Sequence, residues 1–199
     1  SQAAASRPGR LSTCAKYGRR TTFNTAASPL RKVCREPAGR PAIGTLTTCM
    51  EVSDGTVDLP LEERRRLIEM AREAGFSVMT EVGKKEAGQL LKPAEAIRLI
   101  QLDLEAGAAK VIVEGRESGR RAGLYDADGS IRTDDLEALL SGVPDPSRLM
   151  WEAPLKQQQE AWIRRFGPNV SLGNSPRGDV LALEALRRGL RGETLRLAL

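Results

Sequence analysis

The chain has 199 residues, of which 31 are Lys or Arg, 26 are Asp or Glu and none is His. With 40% apolar residues and no uninterrupted apolar run near the roughly 18 that a bilayer span needs, the composition indicates one soluble domain and excludes a transmembrane helix. The absence of His removes the commonest general base and zinc ligand, so proton transfer falls to Lys, Asp, Glu, Tyr or Cys. A metal site must then be rich in oxygen ligands, and Mg²⁺ fits better than Zn²⁺.

The positive charge is concentrated at the front of the chain. Residues 1–47 carry nine basic residues and one acid, whereas residues 48–199 carry 22 basic and 25 acidic residues. The basic isoelectric point therefore belongs to the front segment and gives no reason to expect nucleic-acid binding by the body of the protein.

The cysteines bear on the compartment. Cys14, Cys34 and Cys49 are odd in number, and their spacing matches no zinc or redox motif. We interpret them as reduced thiols of a cytoplasmic protein. The front segment is rich in Arg, Ser, Ala and Thr, which leaves an organellar transit peptide as the alternative.

From residue 48 onward, short apolar runs alternate with longer helical segments. The pattern predicts strands over 48–52, 76–82, 110–114, 149–152 and 169–173. Each is followed by a helix, over 62–73, over 93–105, from Thr133 onward, over 155–166 and over 179–190. Gly75 and Gly107 are expected to end the first two helices, Pro93 to begin the second, and Thr133 to cap the third. Five consecutive strand-then-helix units imply parallel strands and an α/β fold, either a doubly wound sheet or a (β/α)₈ barrel.

Charged residues fall at equivalent places at the ends of four successive strands. They are Glu51, Glu81, Glu114 and Glu152. In a parallel barrel these strand ends converge on one rim, where the active sites of such barrels lie. Buried carboxylates repel one another unless a cation neutralises them, and Lys84, Lys85 and Arg116 lie beside them in the sequence. Any one of the four could cap a helix or pair with a surface Arg, but four in register favour a barrel with a shared functional site.

Longer runs point to a known family. The chain closely resembles phosphosulfolactate synthases, including their plant heat-stress-associated relatives, in the runs MEVSDGT (50–56), EVGKK (81–85), VIVEGRESG (111–119), GLYDADG (123–129), WEAPLKQQQ (151–159), RRFGPNVSLGN (164–174) and LEALRRGLRGET (183–194). The resemblance implies a (β/α)₈ TIM-type barrel. It also implies a Mg²⁺-dependent addition of sulfite to phosphoenolpyruvate that gives (2R)-phospho-3-sulfolactate, a step toward coenzyme M.

The front of the chain departs from that family. The run KYGRRT (16–21) looks like an altered strand end of the family, and GTL (44–46) resembles another. We therefore expect residues 1–47 to be a degraded or poorly ordered segment with remnants of early strands, and residues 48–199 to form the βα units of a barrel that is incomplete on its N-terminal side. Lys16 is either a substrate-binding residue, as the resemblance implies, or an ordinary solvated lysine.

The chemistry that the resemblance implies can be placed on matched residues. The expected Mg²⁺ ligands are carboxylates: Glu51, Asp54, Glu81, Glu114 and Glu152. Lys85, with Lys84 as the alternative, is the expected proton donor to C2, because a nearby Mg²⁺ lowers the pKa of a lysine. The expected binding groups for the anionic substrates are Arg116, Ser118, Gly119, Gly173, Asn174 and Lys16.

Two classes of function remain after the sequence has been read. The first is a Mg²⁺-dependent synthase whose only partners are small anions, with no nucleic acid and no membrane, and with a homo-oligomer left open. The second is a non-catalytic barrel homologue that acts in heat-stress tolerance through protein contacts, or an inactive fragment. The rim charges favour the first, and the altered front favours the second.

Overall fold

The structure of the protein, a computed structural model, describes residues 49–53, 59–83 and 90–195. Strands and helices alternate along these ranges in the order β1 (Cys49–Val52), α1 (Leu61–Glu73), β2 (Ser77–Val82), α2 (Pro93–Ala106), β3 (Lys110–Val113), α3 (Thr133–Gly142), β4 (Leu149–Glu152), α4 (Lys156–Phe166), β5 (Leu172–Gly173) and α5 (Val180–Arg187). Short 3₁₀ turns, Pro146–Arg148 and Arg177–Asp179, precede β4 and α5. The predicted alternation of strands and helices is confirmed.

The strand order decides between the two α/β architectures. All neighbouring pairs are parallel, and the sheet order is β1-β2-β3-β4-β5. A doubly wound sheet reverses its strand order near the middle, whereas a barrel adds each strand beside the last. The predicted α/β fold of the TIM-barrel type is confirmed for the described residues, which form neighbouring strands of such a barrel.

The helices cover one face of the sheet. Alternate strand residues such as Met50, Val78, Val111 and Leu149 are fully buried on this face. The first four helices complete the core with buried apolar side chains on one face: Leu67, Ile68 and Ala71 of α1, Ala96 and Ile100 of α2, Leu136 and Leu139 of α3, and Trp162 and Ile163 of α4. The opposite face of each strand is left to point toward the barrel interior.

Aromatic side chains fill the core between β4 and α4. Trp151 of β4 stacks on Trp162 of α4 with ring centroids 4.3 Å apart, and Phe166 stacks on both. Both tryptophans are buried. They therefore belong to the hydrophobic core.

Most of the local signals act as expected. Gly75 has φ +90° just after α1, and Gly107 has φ +105° just after α2, so both end their helices in the left-handed region that glycine tolerates best. The prediction for Thr133 is wrong. Thr133 is the first residue of α3, and among the described residues no side chain caps that helix.

The last unit is shorter than predicted. A strand was expected over 169–173 and a helix over 179–190, but β5 is Leu172–Gly173 and α5 is Val180–Arg187. Before β5, the backbone N–H of Val170 donates to the Gly167 carbonyl, which forms a turn in place of a strand. After α5, Gly189 adopts φ +64° and ends the helical conformation.

A buried ion pair joins the first two helices. Arg64 of α1 donates to both carboxylate oxygens of Asp103 of α2, at 2.7 and 2.6 Å, and the two side chains are 3% and 2% exposed. The same guanidinium donates to the main-chain carbonyl of Glu81 at 2.8 Å. The pair therefore holds the carboxyl end of β2 against both helices.

None of the helices in the described ranges combines the length and the apolar character that crossing a membrane requires.

Candidate functional site

One cavity lies at the carboxyl ends of the strands. It has a volume of about 560 Å³ and is lined by Glu51, Glu81, Glu114, Arg116, Glu117, Ser118, Glu152 and Asn174. Most of these residues were predicted, from separate strands and loops, to share one site. Its position is the rim where barrel enzymes hold their substrates.

Strand alternation explains why the glutamates face the cavity. Glu51 stands between Met50 and Val52, which are buried beneath the helices, so its side chain points to the opposite face of the sheet. The register is staggered, with Glu51 opposite Met79 and Glu152 opposite Gly173. Strand tilt in a barrel brings such staggered positions to a common rim.

Glu114 shapes the loop that follows β3. Its Oε1 accepts a hydrogen bond of 2.6 Å from the backbone N–H of Arg116. Arg116 has φ +57°, a left-handed conformation that is uncommon for a residue other than glycine. The buried carboxylate therefore stabilises the backbone that presents the Arg116 guanidinium.

Glu152 ties three segments of the rim together. Its Oε2 accepts hydrogen bonds from the backbone N–H of Gly115 at 3.0 Å and from Nδ2 of Asn174 at 3.4 Å. Asn174 also adopts a left-handed conformation, with φ +52°. Residue 115 must be glycine, because a Cβ there would lie 2.7 Å from the Glu152 carbonyl and 2.9 Å from the ring of Tyr125.

Tyr125 stabilises the main chain at Glu152 through a hydrogen bond. Its hydroxyl donates to the Glu152 carbonyl at 2.5 Å and accepts from Nε1 of Trp162 at 2.7 Å. Burial raises the pKa of Tyr125 well above its usual range, although the hydrogen bond from Trp162 acts in the opposite direction. The tyrosine therefore stays protonated and keeps donating to the strand end.

The carboxylates form an oxygen-rich set of the kind that Mg²⁺ accepts. Within the described ranges, no three acidic or cysteine side chains are grouped closely enough to hold a metal ion by themselves. Mg²⁺ ordinarily takes one or two protein carboxylates and completes its shell with water and substrate oxygens. The residues present therefore fit Mg²⁺ bound together with a substrate.

Other predicted residues lie beside the cavity or outside the described ranges. Gly119 closes the turn that carries Arg116 and Ser118, and Gly173 ends β5 next to Asn174. Lys16, Asp54, Lys84 and Lys85 lie outside the described residues, so their expected roles stay predictions.

Sequence reasoning missed Glu117 and a buried glutamine. Glu117 lines the cavity next to Arg116. Gln158 of α4 donates a hydrogen bond to the Gly119 carbonyl, in the turn that carries Arg116. The signal for Gln158 was the run of three glutamines in WEAPLKQQQ, because amides at the start of a helix have donors available for a neighbouring loop.

The fold and the site together define a class: a barrel-type α/β protein whose rim combines carboxylates with a guanidinium. Residues 45–193 match the (2R)-phospho-3-sulfolactate synthase (ComA) family, and the chain belongs to it. The membership that the motifs indicated is confirmed.

Curated relatives agree with that membership. The chain is 50% identical to phosphosulfolactate synthase of Methanothermobacter thermautotrophicus over 148 residues, which are 73% of this chain and 57% of the relative. It is 47% identical to the Methanocaldococcus jannaschii enzyme, over 73% of this chain and 58% of that protein. It is 40% identical to the Bacillus subtilis protein of the same name, with the same coverage of 73% and 58%. The chain thus spans a little over half the length of these relatives.

Proposed function

We propose that the protein adds sulfite to phosphoenolpyruvate, with Mg²⁺, to form (2R)-phospho-3-sulfolactate. The observation that carries the proposal is the rim cavity, where four glutamates from successive strands face a guanidinium. The relatives of this chain carry the name phosphosulfolactate synthase, after the same product. Both substrates are anions, so a site for them needs a fixed cation, and the carboxylates around it need a metal ion to balance them.

Arg116 is the expected anion-binding group. It lines the cavity together with Ser118 and Asn174, which supply hydroxyl and amide donors. A guanidinium can bind a phosphate or sulfite through two parallel hydrogen bonds, which fixes orientation as well as charge. Gly173, beside Asn174 at the end of the last described strand, is the proposed second phosphate contact, because barrels commonly hold phosphate at the loops after their final strands.

Four of the expected Mg²⁺ ligands, Glu51, Glu81, Glu114 and Glu152, line the cavity. Glu114 and Glu152 each have a carboxylate oxygen engaged by a backbone N–H of the loop after β3, so shaping the rim is part of their role. When bound, Mg²⁺ supplies positive charge that balances the charge building on the substrate carboxylate. Asp54 follows β1 in the sequence and stays a candidate ligand.

Lys85 is the proposed proton donor, with Lys84 as the alternative. The sulfur lone pair of sulfite forms a bond to C3, and the π electrons of the substrate move toward C2 and its carboxylate. C2 then takes a proton from the lysine ammonium, which completes the addition without a leaving group. In the sequence, both lysines follow Gly83 at the carboxyl end of β2.

The test is sulfite-dependent consumption of phosphoenolpyruvate with Mg²⁺, with the product identified by mass spectrometry. We expect turnover by the wild-type protein. Arg116→Lys should raise the KM for the anionic substrates about tenfold, because Lys cannot reproduce the bidentate contact. Arg120→Lys, on the exposed part of the same loop, is the matched control and should leave KM unchanged.

A folded protein that lacks this turnover would contradict the proposal. That outcome would favour the alternative function, a non-catalytic homologue in heat-stress tolerance. We also propose a cytoplasmic location, which cell fractionation can check. A homo-oligomer is left open, and light scattering would distinguish it from a monomer.

A further inference from the structure

Three consecutive glutamines near the start of α4 all donate to backbone carbonyls. Gln157 donates to Asp128 at 3.0 Å and Gln159 donates to Ala153 at 3.1 Å. Gln158 donates to two carbonyls, those of Gly119 at 2.7 Å and Gly129 at 2.9 Å. The run therefore ties α4 to the loop between β3 and α3 and to the end of β4.

Gln158 uses its whole amide. It is 1% exposed, its Nε2 makes both hydrogen bonds to the loop, and its Oε1 accepts from the backbone N–H of Leu155 at 3.1 Å. The loop packs directly on this amide, since a Cβ at Gly119 would lie 2.7 Å from Oε1 and 2.9 Å from Nε2. The hydrogen bonds at this contact therefore require an amide at residue 158, and the short distance requires a glycine at residue 119.

The Gly119 carbonyl belongs to the turn that carries the anion-binding group. The backbone N–H of Gly119 donates to the Arg116 carbonyl at 3.2 Å and closes the turn over 116–119. Arg116, Glu117 and Ser118 of this turn line the cavity.

The conformation of Arg116 needs such support. A left-handed φ at a residue other than glycine is strained and persists only where the surroundings hold it in place. Glu114 fixes the start of the turn through the Arg116 N–H, and Gln158 fixes its end through the Gly119 carbonyl.

We propose that Gln158 is a positioning residue that holds the 116–119 turn in the conformation in which Arg116 binds the substrate anion. The inference rests on the proposed function in that it takes Arg116 as the anion-binding group. A glutamate at 158 could not replace the glutamine, because its carboxylate oxygen would face two carbonyl oxygens. An apolar side chain of similar size would leave both carbonyls without their buried donor.

The test compares Gln158→Met with Gln159→Met and Gln157→Met. Gln159 is also buried, at 0% exposed, but its donor contacts Ala153. Gln157 is exposed and donates to Asp128, which is outside the 116–119 turn. The probes are inorganic phosphate and sulfite, with dissociation constants from calorimetry. Amide hydrogen exchange of 116–130 is measured in parallel, with α3 as the internal reference.

We expect Gln158→Met to weaken binding of at least one probe about tenfold and to speed exchange of 116–130. Both controls should keep probe binding within twofold of wild type and leave exchange of the 116–119 turn unchanged. In an Arg116→Ala background, Gln158→Met should weaken binding no further, because a positioning residue acts through the group that it positions. Should Gln158→Met fail to fold, Gln158→Asn keeps a buried amide but is one methylene too short to reach the Gly119 carbonyl, and it should give the same loss.

These readouts do not require turnover, so the inference is separable from the proposed function. Loss of anion binding and faster exchange in Gln158→Met would support it even in a protein that forms no phosphosulfolactate. Wild-type affinity in Gln158→Met, an equal loss in Gln159→Met, or a further loss in the Arg116→Ala background would overturn it. Absence of binding of both probes by the wild-type protein would overturn it as well.

Discussion

The carboxylate of Glu114 accepts the backbone N–H of Arg116, two residues further along the chain, at 2.6 Å. The next carboxylate on the rim, that of Glu152, accepts the N–H of Gly115 at 3.0 Å. Successive backbone amides after β3 thus donate to glutamates from two strands. A hydrogen bond to a charged acceptor contributes more than one between neutral groups, so these contacts stabilise a loop whose backbone is otherwise strained.

The first prediction asks whether the loop needs Glu114 for its hydrogen-bond acceptor or for its negative charge. Glu114→Gln keeps an oxygen that can accept the Arg116 N–H, whereas Glu114→Ala removes it and leaves a space in a buried position. We expect Ala to lower the free energy of unfolding by about 1.5–3 kcal/mol and Gln to lower it by clearly less. Urea unfolding followed by circular dichroism measures the difference. Equal losses in the two variants would show that charge, and not the acceptor, is what the loop needs.

A second prediction concerns the ion pair between Arg64 and Asp103. Both side chains are almost fully buried, so removing one partner leaves a charge without its counter-ion. Arg64→Met should cost about 3–5 kcal/mol of stability, and the double variant Arg64→Met with Asp103→Leu should cost markedly less.

The control for this pair is on the same helix. Arg65→Met disrupts the exposed contact of Arg65 with Glu69 at 2.9 Å and should leave the urea midpoint unchanged, because exposed pairs of this kind contribute little. If the double variant were as unstable as Arg64→Met, the ion pair would not explain the loss.

The sequence predicted the unit boundaries well where a local signal exists. Gly75, Gly107 and Pro93 act on their own neighbours, so the limits of α1 and α2 follow from residues that can be read directly. Gly189 is a signal of the same kind, with φ +64°, and overlooking it made the predicted α5 too long. The predicted cap at Thr133 was wrong because composition alone does not fix which residue precedes the first helical turn.

The site was predictable only in part, for a related reason. Strand-end glutamates share a rim because parallel strands bring their carboxyl ends together, and this geometry can be inferred from pattern. The shape of the loop after β3 cannot be inferred from the sequence pattern in this way, because it depends on contacts with residues far along the chain. The Gly119 carbonyl is held by Gln158, 39 residues later, and the Gly115 N–H by Glu152, 37 residues later.

A third prediction is the pH dependence of the contribution of Tyr125. The hydroxyl links the Glu152 carbonyl to Nε1 of Trp162, so Tyr125→Phe should lower stability by about 1–3 kcal/mol at neutral pH. Burial raises the pKa of Tyr125 above its unfolded value of 10.0. The advantage of the wild type is therefore complete below pH 10 and declines as the pH rises above it, because only the unfolded chain then loses the proton readily.

Urea midpoints of wild type and Tyr125→Phe between pH 8 and pH 11 test this sign. Absorbance at 295 nm gives an independent measure. The wild-type protein should show one tyrosine that ionises at higher pH than the single tyrosine left in Tyr125→Phe. A difference in stability that grows above pH 10 would contradict the assignment.

A fourth prediction addresses the proton donor. Lys85→Ala should lower turnover by orders of magnitude and leave the affinity for phosphoenolpyruvate nearly intact, because a general acid acts mainly in the transition state. Single-turnover kinetics and equilibrium binding separate the two effects. Lys84→Ala is the matched comparison. Unchanged turnover in Lys85→Ala, with a loss in Lys84→Ala, would transfer the role to Lys84.

The last prediction distinguishes metal ligands from carboxylates that shape the loop. Glu51→Gln and Glu81→Gln keep the size of the side chain but remove the charge that attracts a hard cation. Each should raise the Mg²⁺ concentration needed for half-maximal turnover at least tenfold, and added Mg²⁺ should restore part of the activity. Glu152→Gln retains an acceptor for the Gly115 N–H and should show a smaller shift in Mg²⁺ requirement. Isothermal titration with Mg²⁺ in the presence of phosphoenolpyruvate measures the same difference without turnover. Full activity of Glu51→Gln and Glu81→Gln at low Mg²⁺ would mean that the strand-end glutamates are structural, since a true ligand cannot lose its charge without weakening its hold on the cation.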